Sequence, residues 1–163
     1  MKKISLLILA VLAFACCRAQ EELAFPFQGG NTVMTQFFKD SLTVSPELKL
    51  KKAVGTVVFK FTADEKGNIQ KIIVYYADDA ILVGPVIEAL QRSKHKWIIP
   101  DHEKTHDFIL PFSISFNPPA TGGLAAQKAL YAYYRHRKPL ITLNQVPLNT
   151  ATLLPTITIN YDL

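Results

Sequence analysis

A large apolar residue at every second position of 107–116 is the feature that most narrowly limits the fold. One side of this segment carries Phe108, Leu110, Phe112, Ile114 and Phe116, and the other carries Ile109, Pro111, Ser113 and Ser115. A period of two is typical of a strand with one buried face. Residues 54–62 alternate in the same way, and the turn at 64–68 joins them to residues 69–76 as a predicted hairpin. The sequence therefore predicts a sheet of three antiparallel strands.

Proline at position 111 bears on the edges of this sheet. Because proline has no backbone N–H, it cannot donate a hydrogen bond to a neighbouring strand and is found on edge strands. We therefore expect the strand at 107–116 to have one side without a partner strand.

Two further segments carry apolar residues at helical spacing. The first contains Val33, Met34, Phe37, Phe38 and Leu42, and the second contains Leu82, Val86, Ala89 and Leu90. Each set would form one apolar face, which we expect to pack on the sheet. The residues predicted to meet in the core are Phe59, Phe61, Leu90, Trp97 and Phe112. The predicted fold class is α+β: a three-stranded antiparallel sheet with two helices packed on it, plus a C-terminal helix–strand extension.

Residues 118–163 are predicted to form this extension, which follows a domain at 20–117. A linker rich in proline and glycine precedes a predicted helix at 124–137. Residues 156–161 are rich in β-branched side chains and alternate, which predicts a strand. A free sheet edge invites aggregation unless it is covered. We therefore predict that this strand pairs with the domain's own sheet along 107–116.

Residues 1–19 have the composition of a signal peptide. Two lysines precede an apolar run at 4–15, which is shorter than the roughly 20 residues of a membrane-spanning helix. Small residues at Cys17 and Ala19 predict cleavage after Ala19, so we expect a periplasmic or secreted protein. The alternatives are a lipoprotein, with Cys16 or Cys17 lipidated, and a retained anchor.

The charge of the chain gives little reason to expect a nucleic-acid partner. The formal net charge is +5, from 18 basic and 13 acidic residues. Lys2, Lys3 and Arg18 lie in the predicted signal peptide, and their removal leaves 18 − 3 = 15 basic residues and a net charge of +2. A nearly balanced surface does not attract a polyanion strongly.

The sequence offers no set of residues that would carry out catalysis. There is no G-x-S-x-G motif, both cysteines lie in the predicted signal peptide, and Gly29 and Gly30 lack the lysine of a phosphate-binding loop. His102 and His106 are close in sequence, but a zinc site needs three or four converging ligands. We read them as part of a solvated loop, and predict a non-catalytic protein without cofactor or metal.

Several short motifs together carry a family resemblance. They are Phe27-Gln28-Gly29-Gly30, the first strand at 55–61, Gly67-Asn68-Ile69, Trp97 with Pro100, and the Leu-Pro strand at 110–116. In this order and spacing, over residues 27–116, the chain resembles the C-terminal domain of TonB in the form found in Bacteroidetes.

The resemblance implies a function in binding rather than in catalysis. Its expected partner is a protein or peptide segment, such as an extended segment of an outer-membrane receptor, that pairs with the last strand through main-chain hydrogen bonds. The corresponding edge residues are Phe108, Ile109, Leu110, Pro111, Phe112, Ser113, Ile114 and Ser115. A homodimer is also compatible with the resemblance. If the strand at 156–161 pairs with this edge, it occupies the receptor site and must be displaced before a partner binds.

Two other kinds of function are open at this point. One is an envelope structural or assembly factor that binds a fixed protein partner or a glycan through residues 131–138, where tyrosines lie among basic residues. The same composition is typical of a packed helix with a basic C-terminal end, which is the interpretation we favour. The other is a small-ligand carrier with a pocket between a helix and the sheet.

The composition of residues 1–19 yields a first testable prediction. Mass spectrometry of the protein purified from the periplasm should show Gln20 as its first residue, because cleavage after Ala19 removes the signal peptide. A protein that retains Met1, or that carries lipid on Cys16 or Cys17, would contradict this prediction.

Overall fold

The computed structural model describes residues 25–117, 122–143 and 147–163. The predicted signal peptide and its cleavage site lie outside the described residues. The helices are α1 (Gly30–Ser41), α2 (Pro46–Lys51), a 3₁₀ turn (Ala80–Leu82), α3 (Val83–Arg92) and α4 (Gly123–His136). The strands are β1 (Gly55–Asp64), β2 (Ile69–Ala77), β3 (Thr105–Phe116), β4 (Leu140–Ile141), β5 (Thr152–Leu153) and β6 (Ile157–Tyr161).

These strands form one six-stranded sheet in the order β4-β2-β1-β3-β5, with β6 also paired to β3. β1 is central and pairs antiparallel with both β2 and β3, so that Phe61 lies opposite Ile72 on one side and Phe108 on the other. The α+β class is therefore confirmed. The predicted three-stranded antiparallel sheet with two helices has too few elements, because the described residues form four α-helices and a mixed sheet of six strands.

The mixed character of the sheet comes from the C-terminal extension. β5 and β6 both run parallel to β3, with Ile109 opposite Leu153 and Phe112 opposite Ile157. β4 instead pairs antiparallel with the opposite edge of the sheet, at Tyr76 and Ala77 of β2. The extension therefore contacts both edges of the sheet, and it contributes three of the six strands.

Pro111 lies where the outer neighbour of β3 is interrupted. The carbonyl of Ile109 accepts a hydrogen bond from the amide of Leu154 at 2.9 Å, so it faces the outer side. Backbone groups two residues apart in a strand face the same side, so the nitrogen of Pro111 also faces outward. Pro155 lies in the chain between β5 and β6, where the outer neighbour of β3 is interrupted. The prediction that this strand has an open side is wrong, because β5 pairs with β3 before the proline and β6 pairs with it after the proline.

An aromatic cluster around Trp97 occupies the core between the sheet and the helices. The Trp97 ring lies 4.5 Å from that of Phe61, 5.1 Å from Phe27 and 5.4 Å from Phe108, measured between centroids. The indole Nε1 donates to Ser93 Oγ at 2.9 Å, so the buried N–H has a partner. The predicted core residues are all buried in one cluster: Phe59, Phe61, Leu90, Trp97 and Phe112.

β6 also belongs to this core. Ile157, Ile159 and Tyr161 are buried, whereas Thr158 and Asn160 between them are exposed, as the alternation of 156–161 predicted. The Tyr161 hydroxyl donates to the carbonyl of Ala53 at 2.8 Å, and burial raises the pKa of Tyr161 to about 12. The predicted pairing of this segment with the strand at 107–116 is present in the structure.

A pair of substitutions tests the aromatic core. Trp97→Ala should lower the free energy of unfolding by about 3–5 kcal/mol, because it leaves a cavity beneath several aromatic rings. The neighbouring Ile98 is 39% exposed, so Ile98→Ala should change it by only about 0.5 kcal/mol. Urea unfolding of both variants measures the difference. Equal effects of the two substitutions would show that Trp97 is not at the centre of the core.

Candidate functional site: the edges of the sheet

The edge of β3 that the sequence analysis assigned to a partner is occupied by the chain itself. The β3 residues in question, 108–115, lie between β1 on one side and β5 and β6 on the other. Phe108, Leu110, Phe112 and Ile114 are buried in the core, and the residues between them are half-buried. The expectation of an open edge at these residues is therefore corrected: in this structure the edge is already paired.

Polar contacts hold β6 on this edge in addition to its buried side chains. The amide of Asn117 donates to the carbonyl of Tyr161 at 2.9 Å, and its side chain donates to Asp162 Oδ1 at 2.6 Å. Ser115 Oγ donates to Asn160 Oδ1 at 2.6 Å. Removing β6 would also expose three large buried side chains, each worth about 1.5–3 kcal/mol. A competing segment would have to replace most of that free energy.

The opposite edge of the sheet is different, because no described residue pairs with residues 69–74 on the side of β2 away from β1. β4 covers only Tyr76 and Ala77, and the amide of Thr142 donates to the carbonyl of Tyr75 at 3.2 Å. Beyond that point, the outer backbone groups of β2 have no strand partner among the described residues. We call residues 69–74 the β2 edge.

A shallow groove runs along the β2 edge beside helix α3. Ile72 lies opposite the buried Phe61, so it faces the helices, where Ile87 of α3 is also half-buried. The groove has a volume of about 350 Å³. It is lined by Ile69, Gln70, Lys71, Ile72, Ile87, Gln91 and Lys94. Its lining thus combines three isoleucines with two glutamines and two lysines and contains no acidic residue.

Two irregularities of pairing shape β2. The register against β1 shifts between Val58 and Phe59 and again between Thr62 and Ala63. Shifts of this kind mark β-bulges, which increase the local twist of a strand. A strongly twisted edge with an exposed lysine is less prone to pair with other sheets. The β2 edge is therefore suited to a short segment rather than to a long, flat sheet.

A buried ion pair fixes the extension to the outer face of the sheet. The side chain of Lys60 is buried, and its Nζ lies 2.8 Å from Asp107 Oδ2 and donates to the carbonyl of Pro147 at 2.5 Å. Thr62 Oγ1 donates to Asp107 Oδ1 at 2.6 Å. Burial alone would raise the pKa of Asp107, but the hydrogen bonds from Lys60 and Thr62 outweigh it and lower that pKa. Because both carboxylate oxygens of Asp107 have partners, we assign the ion pair a role in stabilising the fold.

One of the three tyrosines in α4 packs into the core, and the other two are exposed. Tyr133 is buried, and burial raises its pKa. Arg137 lies over the Tyr134 ring at 5.4 Å and contacts Asp78 Oδ1 at 3.1 Å. Tyr131 is 65% exposed and Tyr134 is 45% exposed. The segment at 131–138 therefore combines one packed tyrosine with two exposed ones.

An apolar cleft lies beside β5 at the far end of the β3 edge. Its volume is about 550 Å³. It is lined by Phe25, Pro26, Ile98, Ile99, Pro100, Asp101, Phe108, Thr152, Leu153, Leu154 and Pro155. It is the part of the described structure that best fits the small-ligand alternative, although it lies beside the tail and not between a helix and the sheet.

The two histidines considered for zinc do not converge with further ligands in the described residues. His106 uses one ring nitrogen to contact Glu103 Oε2 and the other to contact Thr152 Oγ1, both at 2.7 Å. The described part of the chain contains no group of three or more His, Cys, Asp or Glu residues that could hold a metal ion. His106 instead connects the loop before β3 to β5.

Comparisons with known proteins do not assign the chain to a family. No family model matches it, and no characterised protein sequence or solved structure matches it either. The resemblance to the TonB C-terminal domain is therefore a prediction from the motifs alone. Within the described residues, no helix is long and apolar enough to cross a membrane.

Sequence reasoning missed the β2 edge and the lysines beside it. The signal was weak because residues 69–74 place apolar side chains on both faces and do not alternate strictly. Lys71 in an otherwise apolar strand was the available signal, since charged residues are common on edge strands. Lys94 lies in the turn after α3, and only the packing of α3 against β2 brings it near that edge.

The Lys60–Asp107 pair predicts a specific pH dependence of stability. The pKa of Asp107 is lowered in the folded protein, so its carboxylate stabilises the fold above its ordinary pKa of 3.8. This stabilisation is lost as the pH falls through the lower pKa of the folded protein. Asp107→Asn should lower the free energy of unfolding at pH 7 by about 1.5–3 kcal/mol, the usual value of hydrogen bonds to charged groups.

Urea unfolding at pH 7 and in acid checks this prediction, with the exposed Asp101→Asn as the control. The difference between Asp107→Asn and the wild-type protein should shrink as the pH falls below the ordinary pKa of aspartate. A difference that is the same at both pH values would contradict the assigned role of the carboxylate.

Proposed function

We propose that this protein is a non-catalytic, exported protein- or peptide-binding module that binds an extended segment by strand addition at the β2 edge. One observation carries the proposal: on the side of β2 away from β1, residues 69–74 have no strand partner among the described residues, and they border a groove lined in part by isoleucines. An added strand would gain main-chain hydrogen bonds there, and alternate side chains would enter the groove.

The sequence supports the same class of function. The motif order over 27–116 resembles the TonB C-terminal domain, whose partners are extended segments of outer-membrane receptors, and the signal-like residues 1–19 favour the periplasm. In that family the last strand supplies the edge. Here the tail occupies that edge with a strand that belongs to the core. We therefore assign partner binding to β2 and a structural role to the β3 edge.

A second candidate function is a small-ligand carrier, which the apolar cleft beside β5 favours. Its lining is mostly apolar with few polar groups, as is usual for sites that bind small molecules. Leu153 at its rim is 68% exposed, so an apolar ligand would cover side-chain surface that now contacts water. The binding of an extended peptide at β2 and of a small apolar ligand in this cleft would not exclude each other.

The proposed function can be tested with peptides chosen without bias from a display library. The protein purified from the periplasm serves as the target. Selected peptides should slow hydrogen exchange of the β2 amides at 69–74, because an added strand protects them from water, and should leave β6 unchanged.

Two N-methylated versions of a selected peptide provide the matched controls. Methyl groups on one alternating set of amides remove the donors that face β2 and should abolish binding, whereas methylation of the other set should leave binding largely intact. Equal binding by both versions would show that the peptide does not add as a strand. Protection of β3 amides with release of β6 would place the site at the edge first predicted from the sequence.

A further inference from the structure

We infer that the β2 edge selects an extended segment in which apolar residues alternate with acidic residues. This inference rests on the proposed function and adds to it the chemistry of the partner. It follows from two features of the described structure: the isoleucines that line part of the groove and the two lysines that border it.

The charges around the groove favour an acidic partner. Lys71 is exposed on β2 and Lys94 is exposed in the turn after α3, and neither makes an ion pair with a described residue. The groove lining contains no acidic residue. The nearby Glu88 of α3 contacts Arg92 at 3.8 Å, so its charge is partly balanced. Asp64 contacts the groove residue Gln70 at 2.7 Å but makes no ion pair with either lysine, so a carboxylate on an added strand would give Lys71 an ion-pair partner that no described residue supplies.

The orientation of successive β2 residues predicts the alternation. Lys71 lies opposite Thr62 and faces the outer side of the sheet, whereas Ile72 lies opposite Phe61 and faces the helices. Side chains of an added strand alternate in the same way. Those on the helix side would contact Ile72 and Ile87, and those on the outer side would lie next to Lys71. Apolar residues fit the first position and acidic residues the second.

A second copy of this chain is a poorer occupant of the same edge. Symmetric pairing of two β2 strands would bring the Lys71 side chains of both copies close together. Like charges opposite each other on a sheet are destabilising. The two register shifts in β2 also twist it away from the regular geometry that a long intermolecular sheet requires. The charges thus favour a different chain with acidic residues.

Three blocked hexapeptides test the inference: alternating Val and Glu, alternating Val and Gln, and alternating Val and Lys. Their dissociation constants are measured by titration calorimetry with the protein purified from the periplasm. We expect the Glu peptide to bind about twofold more tightly than the Gln peptide, since one exposed ion pair, to Lys71, contributes about that much, and the Lys peptide to bind most weakly. At about 1 M NaCl, where the Debye length is roughly 3 Å, the Glu and Gln peptides should bind alike.

Charge reversal at the site provides the matched variants. Lys71→Glu should reverse the preference in favour of the Lys peptide, because residue 71 lies beside the acidic positions of the added strand, whereas Lys94→Glu, on the helix side of the groove, should have a smaller effect. Lys49→Glu on α2 changes the net charge equally, lies outside the groove, and should leave the preference intact. Circular dichroism and urea unfolding of each variant show whether the fold is retained.

The outcomes separate this inference from the proposed function. Equal affinity for the Glu and Gln peptides, with protection of the β2 amides, would overturn the acidic preference and leave strand addition in place. Absence of binding by every peptide, including those from the display library, would overturn both. Concentration-dependent dimerisation through protected β2 amides would show that a second copy is the occupant, and would also overturn the inference.

Discussion

The parallel pairing of β6 with β3 is the interaction on which the remaining surfaces of this protein depend. Ile157, Ile159 and Tyr161 extend the apolar face of the sheet, and the Tyr161 hydroxyl reaches the carbonyl of Ala53 at 2.8 Å. Because these side chains are buried, the strand is part of the core rather than a loosely attached cover. The edge of β3 is thereby removed as an open binding surface, and β2 is left as the long strand with an uncovered outer side in the described residues.

The remainder of the extension is fixed by contacts of a different kind. Lys60 connects Asp107 of the sheet to the carbonyl of Pro147, and Arg137 connects the end of α4 to Asp78. A buried lysine is tolerable only when its charge is paired and its protons have acceptors. These contacts explain how Arg137 and Pro147, which lie among described residues with few buried apolar side chains, are held against the sheet.

The two edges of the sheet differ in whether they could accept an added strand. β6 pairs with β3 within the same chain, so the fold already contains the kind of pairing that an added strand would make. The β2 edge has the same main-chain groups without a described partner, together with two lysines and a groove lined in part by isoleucines. Binding at that edge needs no displacement of buried residues, which is the energetic reason for assigning it to a partner.

The sequence by itself determined the strands, the core and the tail, while the tertiary structure decided which edge is open. Alternation in 54–62, 107–116 and 156–161 identified three strands because side chains in a strand point to opposite faces. Trp97 was recognised as a core residue because large apolar side chains are costly to expose. No local pattern could show that β5 pairs with β3 before Pro111 and β6 pairs with it after Pro111, or that α3 brings Lys94 near β2. These contacts join residues that are far apart in the chain.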